Sequence, residues 1–129
     1  YFTAECKTNL DKTMFQEASA TAHDVKTVVP ASKYLLLCEW LDMTPISIVP
    51  TDIDDVLILR KAKRLSSNIR KEYNTQQGRI RNSKSFKMFL KDNPFSVDVF
   101  RSFISHIKDL DDAKNLIEED VLKRGSFHS

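Results

Sequence analysis

TDIDDVLILRKAKRLSSNIRKEYNTQQGRIRNSKSFKMFLK, residues 51–91, joins a capped start to an apolar-periodic segment and holds most of the positive charge of the chain. Thr51 reads as an N-cap, and Asp52, Asp54 and Asp55 fall in a first turn, where negative charge complements a helix dipole. At about 100° per residue, Ile58, Ala62, Leu65, Ile69 and Tyr73 share one stripe, while Arg60, Lys61, Lys63, Arg64, Arg70 and Lys71 take the remaining arc. The pattern is that of a long amphipathic helix with a basic outer face, starting at Asp52 and broken near Gly78.

From Arg60 to Lys91 there are eleven Lys and Arg against the single acid Glu72, a net +10, in a chain whose overall charge is only +2. The rest of the chain is acidic on balance. Local field, not net charge, decides what a surface attracts, and Arg60, Lys61, Lys63, Arg64, Arg70, Lys71, Arg79 and Arg81 are therefore the candidate partner-binding residues. A merely solvated helix would mix both signs in i,i+4 pairs, whereas this one has almost no acidic partners.

Working outward, the residues from about Asp11 to Val29 space Leu10, Met14, Phe15, Ala18, Ala22, Val25 and Val28 roughly as a helix, which Pro30 stops. Ser32 then caps a compact helix over Lys33–Met43, apolar nearly all round through Tyr34, Leu35, Leu37, Cys38, Trp40 and Leu41, and hence central. Pro45 and Pro50 bracket an extended connector. Beyond Gly78, Ser83 or Ser85 caps a short helix closed by Asp92-Asn93-Pro94, and Ser96 caps a further one with Val97, Val99, Phe100, Phe103, Ile104 and Ile107 on its apolar face. A short joint falls at Asp109–Asp112, and Gly125–Ser129 reads as frayed.

The expected fold is an all-α, single-domain bundle of about five to six helices with one long basic amphipathic helix. Gly 2 and Pro 4 in 129 residues are too few for the turns of an all-β chain. The expected core takes in Leu37, Trp40, Leu41, Leu65, Ile69, Phe89, Phe100, Ile104 and Leu116. Residues 1–129 read as one helical domain, and Tyr1, with neither an initiating Met nor a signal peptide, reads as the start of a domain excised from a larger protein.

The chemistry that can be excluded at this level is broad. Cys6, His23, Cys38, His106 and His128 are scattered singly and lack the paired spacing of a zinc site. With glycine only at positions 78 and 125, no phosphate-cradling loop can be built. No nucleophile with a base and an orienting third group stands out, so the reading is of a protein that is not an enzyme, with no cofactor, no metal, no small-molecule substrate and no membrane span. Cys6 and Cys38 read as reduced thiols, Cys38 as a small buried hydrophobe, with a bridge between them left open for a secreted protein.

Two functions are compatible with this. The first is a non-catalytic helical interaction module, an adaptor or scaffold domain docking an acidic protein partner through the basic helix face. The alternative is a nucleic-acid-backbone binding domain, for DNA or RNA, with Tyr73 or Phe86 available for stacking. A secreted helical-bundle ligand ranks below both. The expected setting is intracellular, with the nucleus as one reading.

Overall fold

The computed structural model describes residues 1–124, and for 110–121 and 124 the backbone alone. Its centre is the apolar run that begins at Tyr34, and this run is a strand. β2 (Lys33–Leu41) is the middle strand of a three-stranded sheet, between β1 (Phe2–Leu10) and β3 (Asp55–Ile58). Both pairings are parallel, with Phe2 opposite Lys33 through to Leu10 opposite Leu41, and Leu35 opposite Asp55 through to Cys38 opposite Ile58. A central strand of a parallel sheet is covered on both faces, so it shows a continuous apolar run instead of alternation. Tyr34, Leu35, Leu36 and Cys38 are fully buried accordingly.

Parallel neighbours need a crossover, and α1 (Lys12–Val28) supplies it. Asp11 caps this helix, its Oδ1 accepting from Met14 N at 2.8 Å, and Pro30 lies just past its end. Here the helix expected from about Asp11 to Pro30 is present. Phe15, Ala18 and Ala22 on its inner face join Leu10, Tyr34, Leu36, Cys38 and Ile53 in the core, the two alanines letting the helix axis approach the sheet closely.

The all-α bundle is thus wrong, and with it the long basic helix. Residues 51–91 hold β3, an irregular stretch, α2 (Ser67–Arg70), a single 3₁₀ turn (Lys71–Tyr73), α3 (Gln76–Arg81) and most of α4 (Ser83–Asp92). The acids taken for first-turn residues serve the sheet. Asp52 Oδ2 meets His23 Nδ1 at 2.8 Å, and Asp54 Oδ2 meets Lys26 Nζ at 2.8 Å and accepts from Tyr34 N at 2.7 Å, so both tie the approach to β3 to α1 and β2. Thr51 caps a turn, its hydroxyl donating to Ile48 O and accepting from Ile53 N. After β3 the chain bulges through a turn that includes Lys61, whose φ of 51° is left-handed, and continues in the same direction to pair Lys63 with Leu41 in a parallel bridge.

The Pro45–Pro50 segment, expected as an extended connector between two helices, carries no helix or strand and lies between two strands. Gly78 lies inside α3, where a Cβ would overlap the carbonyl oxygen of Glu72. The short helix after Ser83 and the helix after Ser96 are both found, the latter as α5 (Val97–Arg124) without a break at Asp109–Asp112.

Two compact units divide the chain, Tyr1–Ser96 with the sheet and a second beginning at Val97 that contains α5. Of the expected core, Leu37 and Trp40 are buried and Leu41 packs at the margin, while Leu65 and Phe89 are half-buried. Ile69, Phe100 and Ile104 are exposed. Leu116, the acidic residues Asp111, Asp112, Glu118, Glu119 and Asp120, and Gly125–Ser129 with His128 lie outside the residues whose side chains are described.

Candidate active site

β1 places two charged residues, Glu5 and Lys7, beside the apolar middle of β2. Side chains alternate along a strand, and in β1 Ala4, Cys6 and Thr8 are exposed while Thr3, Glu5, Lys7 and Asn9 are half-buried. The register sets Glu5, Lys7 and Asn9 on the same face as Leu36, Cys38 and Trp40. Lys7 Nζ lies 3.1 Å from Glu5 Oε1, with the two side chains 26% and 23% exposed. The hydroxyl of Tyr34, a fully buried residue, donates to Glu5 Oε2. One carboxylate is therefore held at both oxygens, in a place only partly open to solvent.

Two positions further along the same face, Asn9 Nδ2 donates to Asp42 Oδ2 at 3.2 Å. Asp42 also faces Arg64 Nη1 at 3.5 Å and Arg70 Nη1 at 3.9 Å. The charged row that starts at Glu5 thus continues off the end of the strand into the basic segment.

The eight basic residues expected to share one docking face are separated by the fold. Arg60 points inward: its Nε meets Glu39 Oε1 at 2.8 Å, its Nη1 donates to Asn93 O at 2.8 Å, and its guanidinium lies 4.1 Å from the Phe95 ring centroid and 5.2 Å from that of Trp40. At 12% exposure it is a structural residue. Arg70 is half-buried, with Nη1 donating to Leu65 O at 2.8 Å. Lys61, Lys63, Arg64, Lys71, Arg79 and Arg81 are exposed, but they are spread over the irregular stretch after β3, the 3₁₀ turn and α3.

Sequence reasoning passed over Glu5 and Lys7 altogether. The available signal was an opposite-charge pair at strand spacing just ahead of the helix cap at Asp11. Among the described residues no three His, Cys, Asp or Glu gather into a metal-holding group, and no helix is long and apolar enough to cross a membrane. Cys6 and Cys38 are both free, and burial pushes the Cys38 thiol up to about 12, as suits an inert core residue.

Comparison with known proteins bears directly on this geometry. The family model described as Bpu10I restriction endonuclease matches residues 1–127. Among solved structures, a chain of the native BbvCI A2B2 tetramer superposes with a TM-score of 0.56 at 22% sequence identity, over 88% of this chain and 38% of that one. At that identity the likeness speaks for the fold, and this chain spans only 38% of the length of its structural neighbour. No curated protein matches. The family match overturns the reading of a non-catalytic adaptor that is not an enzyme, and with it the protein-interaction role; nothing supports an acidic protein as partner. Nucleic acid, the other partner considered, accords with the family, as does an intracellular setting, whereas nothing supports the nucleus. With 127 residues of its length matched, the chain belongs to the Bpu10I restriction endonuclease family.

Proposed function

We propose that this chain supplies the catalytic strand of a DNA-cleaving enzyme, with Glu5 and Lys7 as the catalytic residues. The carrying observation is the pair itself, an acid and a base on one strand face, 3.1 Å apart and partly shielded. Phosphodiester hydrolysis joins a water oxygen to phosphorus and breaks an ester P–O bond, and its demand on a protein is to offset negative charge on the phosphoryl oxygens. Lys7 is placed to do that as a compact cation. Tyr34 fixes the second oxygen of Glu5, so the carboxylate is already oriented when substrate arrives.

Nucleases commonly use divalent cations, and a magnesium-type ion takes one or two carboxylates with the remaining positions left to water and substrate phosphate. The donor chemistry of Glu5 fits that class, and Glu5 is the residue that would hold it. The contribution of such an ion is to polarise a phosphoryl oxygen and make bound water more acidic.

The exposed basic residues support a second part of the same function. Lys61, Lys63, Lys71, Arg79 and Arg81, with Lys84 and Lys87 beyond them, are exposed and suit contact with a phosphate backbone, which attracts cations without regard to sequence. Arg60 is withdrawn from that set by its internal contacts.

The test uses the full-length protein and a plasmid that it cleaves. Glu5→Gln and Lys7→Ala should each slow cleavage by about 10²-fold or more, the scale of removing one preorganised electrostatic group, while duplex affinity stays within a few-fold. Cleavage at the parental rate by either variant would refute the assignment.

A further inference from the structure

A cleft that cleavage itself does not require reaches β1 at Thr8, the residue after Lys7. Its volume is about 370 Å³, and its lining includes two aromatic pairs, Trp40 with Phe89 and Tyr73 with Phe86, and the two arginines Arg64 and Arg70. All six belong to the Tyr1–Ser96 unit. Trp40 and Phe89 stack at 4.8 Å between centroids with 19° between planes, and Tyr73 and Phe86 meet at 5.7 Å with a 59° tilt. Aromatic pairs that only completed a core would close on each other and exclude solvent. Here Phe86 stays 39% exposed and Tyr73 half-buried on the wall of an open space.

The charged part of the lining has one sign. Arg64 and Arg70 share the single carboxylate of Asp42 at 3.5 Å and 3.9 Å, distances too long for well-formed bidentate pairing, and Asp42 is further occupied by Asn9. A guanidinium charge is left over at the cleft. Flat aromatic faces with surplus arginine beside them are what a nucleobase and its phosphate require: stacking on the rings tolerates any base, and the arginines take the anion. Asn9 stands two positions from Lys7 on the same strand face, so the anchoring carboxylate is tied to the strand that carries the proposed catalytic pair.

We propose that this cleft receives one unpaired nucleobase of a DNA strand, with Tyr73 and Phe86 stacking on the base and Arg64 and Arg70 holding the adjoining phosphate. The proposal rests on the DNA-cleaving reading above and extends it, because the enzyme then engages DNA in which a base has left the duplex stack. Extruding a base costs least where pairing is already absent. A duplex with a one-base bulge is therefore the favoured ligand.

The experiment titrates the full-length protein into two duplexes of one sequence, fully paired or carrying a single bulged 2-aminopurine, and follows both affinity and 2-aminopurine fluorescence. The bulged duplex should bind at least tenfold more tightly, with its fluorescence quenched as the base stacks. Tyr73→Ala and Phe86→Ala should each weaken that binding by about 5- to 150-fold and restore the fluorescence, whereas Tyr73→Phe keeps the ring and should behave as the parent. Arg64→Gln should weaken the bulged duplex more than the paired one. Equal affinity for the two duplexes with unchanged fluorescence overturns the cleft assignment while leaving DNA binding in place, and that result is read on the parent protein without any variant. Absence of binding to both duplexes overturns the cleft and the DNA-cleaving reading together.

Discussion

Arg60 carries charge from the basic segment into the protein, where it bonds Glu39 and the carbonyl of Asn93 and lies between the rings of Trp40 and Phe95. Its planar fork serves two acceptors and two faces at once, which an ammonium cannot do. Arg60→Ala should cost about 2 to 3 kcal/mol in urea unfolding, because Glu39 is left without its partner in a partly dry site, and Arg60→Lys should recover less than half of that. A loss no larger than that of Lys63→Ala would show that Arg60 is an ordinary surface cation. Cys38 makes a pH prediction. Its thiol is pushed up by burial from 9.0 to about 12, so the unfolded chain ionises first as pH rises. The stabilisation is complete below 9.0 and is lost as pH climbs toward about 12. Urea midpoints of the parent should therefore fall more steeply over that window than those of Cys38→Ala, whose own midpoint is lower at neutral pH; parallel slopes would contradict it.

At the level of elements, what could be read from sequence depended on whether a segment carried its own boundary chemistry. α1 had Asp11 at one end and Pro30 at the other, α5 had Ser96, and these helices are where the sequence puts them. β2 had only an apolar run rich in leucine, and a fully buried strand and a buried helix look alike by periodicity. β3 is four residues long and follows acids whose partners, His23 and Lys26, lie on α1, so its local signal imitated a helix start. Glu5 and Lys7 sat on a strand that breaks the apolar rule, and such departures gather at functional sites. Gly78 gives this scale its test. Alanine normally gains about 1 kcal/mol over glycine inside a helix, but at Gly78 a Cβ would overlap the Glu72 carbonyl, so Gly78→Ala should instead lose about 1 to 3 kcal/mol. An alanine variant as stable as the parent would mean that α3 and the preceding 3₁₀ turn can move apart freely.

For the whole molecule, charge polarisation along the chain survives the loss of the long helix, because most of the exposed cations among the described residues still belong to residues 61–91. Log affinity for duplex DNA should fall linearly with log salt, and each of Lys71, Arg79 and Arg81 that contacts a phosphate should lower the slope by about 0.9 when replaced by Ala. Arg60→Ala should leave the slope unchanged. A slope insensitive to all three exposed residues would move the DNA contact elsewhere on the protein. The parallel register also has a meaning in time. Glu5 is paired through Leu36 and bonded by Tyr34, so neither neighbour exists when Glu5 leaves the ribosome. At about 5–20 residues per second, β1 waits on the order of seconds for β2 to be synthesised, and throughout that interval the proposed catalytic pair is unassembled. If Glu5 and Lys7 are the catalytic pair proposed above, the nascent chain is in this way born inactive, and cleavage chemistry would come into being only with the closing of the sheet.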